Sequence, residues 1–254
     1  MSITPRVFFL SAALATIALL PLPSALAQMP GSPSGVSSAL IQLFGANTNF
    51  TAKAKMEVLG REKKLLLSGP MDVAMRDGSF RMELDLSQAG GSDAPAGSAM
   101  LKQMGMEKLT SIIRMDKREV HVVLPILEGV LTTPFSKEEV QALANPPKVT
   151  EKELGKETLG GVAVVKKQLS TTIGTEQRVA TVWVAPSLSG FPLQIETTEG
   201  ANTLVLKFSD VKLTKPAAAL FETPKGYTLY KSVEEMTQGA MEKMLKSGGA
   251  TPGR

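Results

Sequence analysis

The sequence predicts a mostly β, α+β fold built on one antiparallel sheet. Two stretches carry that prediction. Between Arg178 and Phe208, three short runs alternate apolar and polar residues: Val179, Thr181 and Trp183; then Leu193, Ile195 and Thr197; then Leu204, Leu206 and Phe208. The same alternation runs from Asn49 to Leu86, with Phe50, Ala52, Ala54, Met56 and Val58 against Thr51, Lys53, Lys55 and Glu57. Period-two patterning gives a sheet one dry face and one wet face. The connections are short and contain Gly, Asn or Asp, as antiparallel neighbours require.

The first 27 residues read as a leader. Arg6 precedes Val7 to Leu20, an apolar run of 14 residues, and Ala25-Leu26-Ala27 follows. That run falls short of the ~20 residues that span a bilayer, and Pro21 and Pro23 come directly after it. A cleavable secretory signal over 1–27 is the expectation, with a periplasmic mature chain beginning at Gln28. The chain contains no cysteine, so an exported product depends on its core and sheet alone. Loss of Arg6 takes the net charge from +4 to +3, and the charges are interspersed without a basic stripe. Nucleic-acid binding is therefore not expected.

The remaining elements follow in order. Gln28 to Gly35 is a Pro-, Gly- and Ser-containing linker, expected to be disordered. Val36, Leu40, Leu43 and Phe44 share a helical face that Gly45 ends. After the Asn49–Leu59 strand, Lys63 to Met75 reads as a second strand in which Gly69-Pro70 suggests a bulge or an edge. Arg76-Asp77-Gly78 is the strongest hairpin signal, leading into Phe80, Met82, Leu84 and Leu86. Ala96 to Met106 reads as a short helix with Met100, Leu101 and Met104 on one side. Leu109 to Met115 and Arg118 to Leu124 form a hairpin, and Leu127 to Leu131 suggests a further strand. Ser136-Lys137-Glu138-Glu139 is a capping box opening a helix to Ala144. Lys148 to Leu159 is polar, a surface strand or connection, and Gly160-Gly161 turns it into Val162 to Thr172. Beyond Tyr227, Ser232-Val233-Glu234-Glu235 is a second capping box. The helix it opens places Val233, Met236, Ala240, Met241, Met244 and Leu245 on one stripe. One domain over 36–231 and a C-terminal amphipathic helix and tail over 232–254 are expected.

Val182-Trp183-Val184-Ala185-Pro186, then Pro192-Leu193-Gln194-Ile195-Glu196, then Leu220-Phe221-Glu222-Thr223-Pro224-Lys225-Gly226-Tyr227 resemble the C-terminal half of the LolA/LolB-like superfamily of periplasmic lipoprotein carriers. The resemblance extends more weakly over Val36 to Tyr227. It implies a curved antiparallel sheet, an incomplete half-barrel of about ten or eleven strands with short helices over its concave face. It also implies a non-enzymatic periplasmic carrier of lipid or lipoprotein acyl chains. A monomer is expected. A second implication is an envelope sensor or interaction module whose cavity is filled by its own helices, with envelope membrane proteins as partners. Arg76 corresponds to the family's lid-holding arginine, in a basic-x-Gly-x-Phe turn that lacks the family's Pro and following Trp.

Catalytic chemistry finds little support. His121 is the only histidine and falls on a polar strand face, where a solvated side chain is expected. Without cysteine or a second histidine, neither a metal nor a cofactor is expected. No nucleophile elbow, phosphate-binding loop or dinucleotide fingerprint occurs. Methionine is the notable residue type, with twelve outside the leader. Met adapts its shape to varied apolar partners, so these residues either pack an ordinary core or line a cavity for acyl chains. On the cavity reading the lining is Phe50, Met56, Phe80, Met82, Leu84, Met115, Trp183, Ile195, Leu204, Leu206 and Phe208. The lid is then Met100, Met104, Met236, Met241 and Met244, held by Arg76.

Overall fold

The computed structural model describes residues 43–92, 108–145, 148–173 and 176–248. The leader, the linker, most of the Val36–Phe44 helix and the Ala96–Met106 helix lie outside these residues. Twelve strands form one sheet: β1 (Asn49–Leu59), β2 (Leu65–Arg76), β3 (Ser79–Asp85), β4 (Lys108–Arg114), β5 (Glu119–Leu124), β6 (Gly129–Pro134), β7 (Val149–Leu159), β8 (Val162–Ile173), β9 (Glu176–Ala185), β10 (Phe191–Glu199), β11 (Asn202–Lys212) and β12 (Thr228–Tyr230). Among the described residues two α-helices accompany them, α1 (Lys137–Ala144) and α2 (Val233–Gly248). No helix among the described residues is long and apolar enough to cross a membrane.

The order across the sheet is β12-β6-β5-β4-β3-β2-β1-β11-β10-β9-β8-β7. It consists of two meanders, β1 to β6 and β7 to β11, joined where β1 pairs antiparallel with β11. The sheet is open, with β7 at one edge and β12 at the other. Every pairing is antiparallel except β12 with β6. This is one strand more than the ten or eleven expected. The addition is β12, three residues long and too short to show alternation.

Local chemistry accounts for the turns. Asp77 and Gly78 both have positive φ (49° and 83°), the conformation a two-residue hairpin needs to match strand twist. Gly160 and Gly161 do the same between β7 and β8. Pro70 sits neither on an edge strand nor at a bulge. It pairs with Lys55 inside the β1–β2 ladder, one residue before β2 begins to pair with β3 at Met71, and the irregularity of that ladder lies at Val58/Leu59 instead. The Ser136 hydroxyl accepts from the Glu139 N–H, and the Glu139 carboxylate accepts from the Ser136 N–H, completing the predicted box at α1.

The two faces differ. On the inner face one core joins Phe44, Phe50, Ala52, Ala54 and Met56 to Met71, Val73, Met75, Phe80, Met82 and Leu84, and continues through Ile113, Val120, Val182, Ile195, Leu206 and Phe208. On the outer face β1, β2 and β11 carry paired charges: Glu57 lies 2.9 Å from Lys55 and 2.8 Å from Lys207, and Lys53 lies 2.6 Å from Asp72. Further along, the outer face of the first meander is covered by the chain itself. After β11, residues 213–227 cross to the far edge. Phe221 and Tyr227 pack on Ala74, Ile112, Val123 and Val130.

Candidate functional site

The inner face is the candidate site, and its register decides which side chains meet there. Met56 of β1 stands opposite Gly69 of β2 and Leu206 of β11. Ala54 stands opposite Met71, Phe50 opposite Met75, and Met75 opposite Phe80. Met82 lies between Val73 and Ser111, and Leu84 between Met71 and Leu109. Leu206 faces Ile195, and Ile195 faces Val182. Four methionines thus occupy adjoining positions on three central strands, all buried. Met115 and Leu204 pack at the margin, partly buried. Of the expected lining, all residues but one lie on this face.

The exception is Trp183. It pairs with Gln194 and Lys166, while its neighbour Val182 pairs with Ile195, so Trp183 points to the opposite face. There its indole N–H donates to the Glu157 carboxylate at 2.7 Å, and the Lys166 ammonium lies 4.7 Å from the ring centroid. It packs with Val164 and Ala185 in a separate small cluster. The Trp183 hydrogen bond is the largest influence holding Glu157 below the usual carboxylate range.

One end of the inner face is filled by aromatic rings. Phe44 lies 4.8–5.7 Å, between ring centroids, from Phe50, Phe80, Phe191 and Phe208. These distances favour tilted and edge-to-face contact. The other end carries α2. Tyr230 of β12 stands beside Leu131, and its ring fills the space over Gly129. A Cβ at Gly239 of α2 would come within 2.5 Å of the Tyr230 hydroxyl, so the helix approaches the ring at a residue without a side chain. Among the lid residues, Met236 is partly buried. Met100 and Met104 lie outside the described residues, and the Met241 and Met244 side chains do as well.

Arg76 does not reach the inner face. It donates to the Pro216 carbonyl, on the segment that crosses the outer face. Arg81 donates to the Leu220 carbonyl at 3.2 Å and Arg114 to the Phe221 carbonyl at 2.9 Å. Three arginines on adjacent strands therefore fasten residues 216–221. Alternation explains the side: Ala74 and Arg76 point away from Met75. Between the segment and the sheet lies a cleft of about 170 Å³ lined by Arg76, Asp77, Ser79, Arg114, Asp116, Ala218, Phe221 and Glu222. Its charges are matched within the chain. Asp116 accepts two bonds from Arg114, at 2.9 and 2.7 Å, and Glu222 lies 3.1 Å from the same guanidinium. Arg114 pulls the Asp116 carboxyl down to about 2.

His121 is buried rather than solvated. Its Nε2 lies 3.1 Å from the Glu119 carboxylate, and its Nδ1 has no hydrogen-bond partner among the described residues. It stands between Ile112 and Thr132 on the face that the 213–227 segment crosses. No group of three or more His, Asp or Glu suited to a metal ion occurs among the described residues.

No protein-family model matches the chain, and no curated protein matches it. Solved structures do. The lipoprotein LppX of Mycobacterium tuberculosis is similar at 14% identity and a TM-score of 0.40, over 71% of this chain and 98% of that one. A LolA superfamily protein from Nitrosomonas europaea is similar at 12% identity and a TM-score of 0.36, over 72% and 93%. LprF of Mycobacterium bovis is similar at 10% identity and a TM-score of 0.35, over 75% and 98%. These likenesses are of fold.

Proposed function

We propose that this protein is a non-enzymatic periplasmic carrier that binds lipid, or the acyl chains of lipoproteins, on the inner face of its sheet. The observation that carries the reading is the continuous apolar surface from β1 to β3 and across β11 and β10, with Met56, Met71, Met75 and Met82 side by side. Thioether side chains change rotamer at little cost and so accept chains of varied shape. Each methylene transferred from water gains roughly 0.8 kcal/mol, so a fully buried acyl chain gains on the order of ten kcal/mol gross, less the cost of association. An open sheet lets the chain leave sideways, as a carrier needs. The lining proposed is Phe50, Met56, Phe80, Met82, Leu84, Met115, Ile195, Leu204, Leu206 and Phe208. The secretory leader supports export, and the motif resemblance supports the ligand class.

A second reading is an envelope interaction module with a self-filled interior. The insertion of Phe44 among four phenylalanine rings favours it. Native mass spectrometry of the mature protein from its own envelope, with lipid extraction of the same sample, separates the two. The carrier retains lipid or a triacylated peptide, and Met82→Glu or Leu206→Glu loses it while circular dichroism stays that of the folded sheet. Met115→Glu, at the partly exposed margin, extends the test to a site where a charge is tolerated. A bare protein mass, with no uptake of added lipid, overturns the carrier reading in favour of the module.

A further inference from the structure

The edge strand β7 is exposed along almost its whole length on both faces. Lys152, Glu153 and Lys156 have no ion-pair partner among the described residues. Edge strands resist pairing with other chains through charge and bulges, and β7 has both. The bulge here has a further effect. Glu153 pairs with Lys167 and Gly155 with Lys166, leaving Leu154 without a partner, and Gly155 has φ 145°. The extra residue reverses the alternation. Lys152 and Glu157 consequently share the outer face with Gln168 and Val164, whereas Glu153 and Lys156 share the inner face with Lys167 and Val165.

Two copies of β7 side by side and antiparallel, related by a two-fold axis, must place like faces together. In an unbroken strand, that symmetry would set residues of the same parity opposite each other: Lys152 against Lys156, Glu151 against Glu157. With the bulge, a different register keeps both faces matched. Lys152 then stands opposite the second copy's Glu157, Glu153 opposite its Lys156, and Leu154 opposite its Gly155. Symmetry doubles each pair, giving four cross-copy pairs of opposite charge over the strand's length.

We propose that β7 is a self-docking edge, through which two copies of the chain join antiparallel into one continuous sheet with Glu153 facing the second copy's Lys156. Main-chain hydrogen bonds supply the affinity and the charges set the register. The inference is independent of what the inner face binds, and it departs from the expected monomer.

The test is sedimentation velocity of the mature protein over a wide concentration range at low salt. The wild type is expected to show a reversible dimer that weakens as salt rises. Glu153→Lys or Lys156→Glu turns two attractions into two repulsions and should weaken the dimer at least about tenfold. The double variant E153K/K156E restores the opposite charges and should restore the dimer. Both positions are exposed, and circular dichroism checks that the variants fold. A wild type monomeric throughout overturns the proposal, meaning that the charges and bulge only keep the edge free. A dimer indifferent to the single reversals also overturns it, because the interface then lies elsewhere.

Discussion

Arg114 makes more contacts with the crossing segment than its sequence neighbours suggest. It is a buried guanidinium whose donors go to the Asp116 carboxylate and the Phe221 carbonyl, with Glu222 alongside. Arg114→Ala leaves a buried carbonyl without its donor and should destabilise the protein by about 2–3 kcal/mol in urea unfolding. Lys in its place recovers only part, since an ammonium cannot reproduce the forked bond to Asp116. The same pair has a pH signature. The Asp116 pKa falls from 3.8 to about 2 on folding. The folded value is the lower one, so the contribution is complete above about pH 4 and is lost as the pH falls towards 2. Asp116→Asn should therefore flatten the acid limb of the melting-temperature curve in that window. It should shift the curve little in slope at neutral pH. Because Asp116 is more than half exposed, the effect is small and salt-sensitive. His121 shows where residue-level reading stops. Its polar-face position is evident from alternation, but its burial depends on a segment that arrives from about a hundred residues downstream.

At the scale of elements, α2 meets the sheet at an aromatic ring that lies between two glycines. Tyr230 fills the space over Gly129 and meets α2 at Gly239. Ala is the better helix former, so Gly239→Ala would stabilise an isolated helix by up to about 1 kcal/mol. Here its Cβ would fall 2.5 Å from the Tyr230 hydroxyl. The expected result is the reverse: faster amide exchange across α2 and β12, with the rest of the sheet unchanged. Slower exchange would mean that the ring moves aside freely. Strand existence was legible from the sequence because β1, β3, β10 and β11 alternate cleanly. The phase of β9 was not. Val179-Ala180-Thr181-Val182-Trp183-Val184 is apolar on both sides, and the irregular pairing between Pro192 and Gln194 fixes which set faces inward. Trp183 therefore could not be assigned a face from its own strand. β12 escaped for another reason: three residues contain no period. The motif alone misplaces Arg76, whose alternation with Met75 points it outward.

The whole molecule is two meanders joined along β1 and β11 and through the rings around Phe44. Phe50 and Phe80 come from the first meander, Phe191 and Phe208 from the second, and Phe44 contacts all four. The joining contacts are far apart in sequence: Met56 pairs with Leu206, and Ala54 with Phe208. Closing so long a loop is entropically costly, and it is repaid only when both partners bury apolar surface together. Phe44 is fully buried at that junction, so Phe44→Ala removes a large side chain where neither half can collapse alone. The expected loss is about 3–5 kcal/mol. If the junction couples the halves, unfolding followed at Trp183, in the second meander, coincides with unfolding followed by amide exchange in β2 and β3, and both shift together in the variant. Separate transitions would show that each meander holds its own structure and that the rings only dock them. The same variant bears on the inner face. Vacating the ring cluster opens apolar volume next to Met75 and Phe80, so a protein that accepts acyl chains should take up more lipid relative to its folded fraction, whereas a self-filled module should only lose stability.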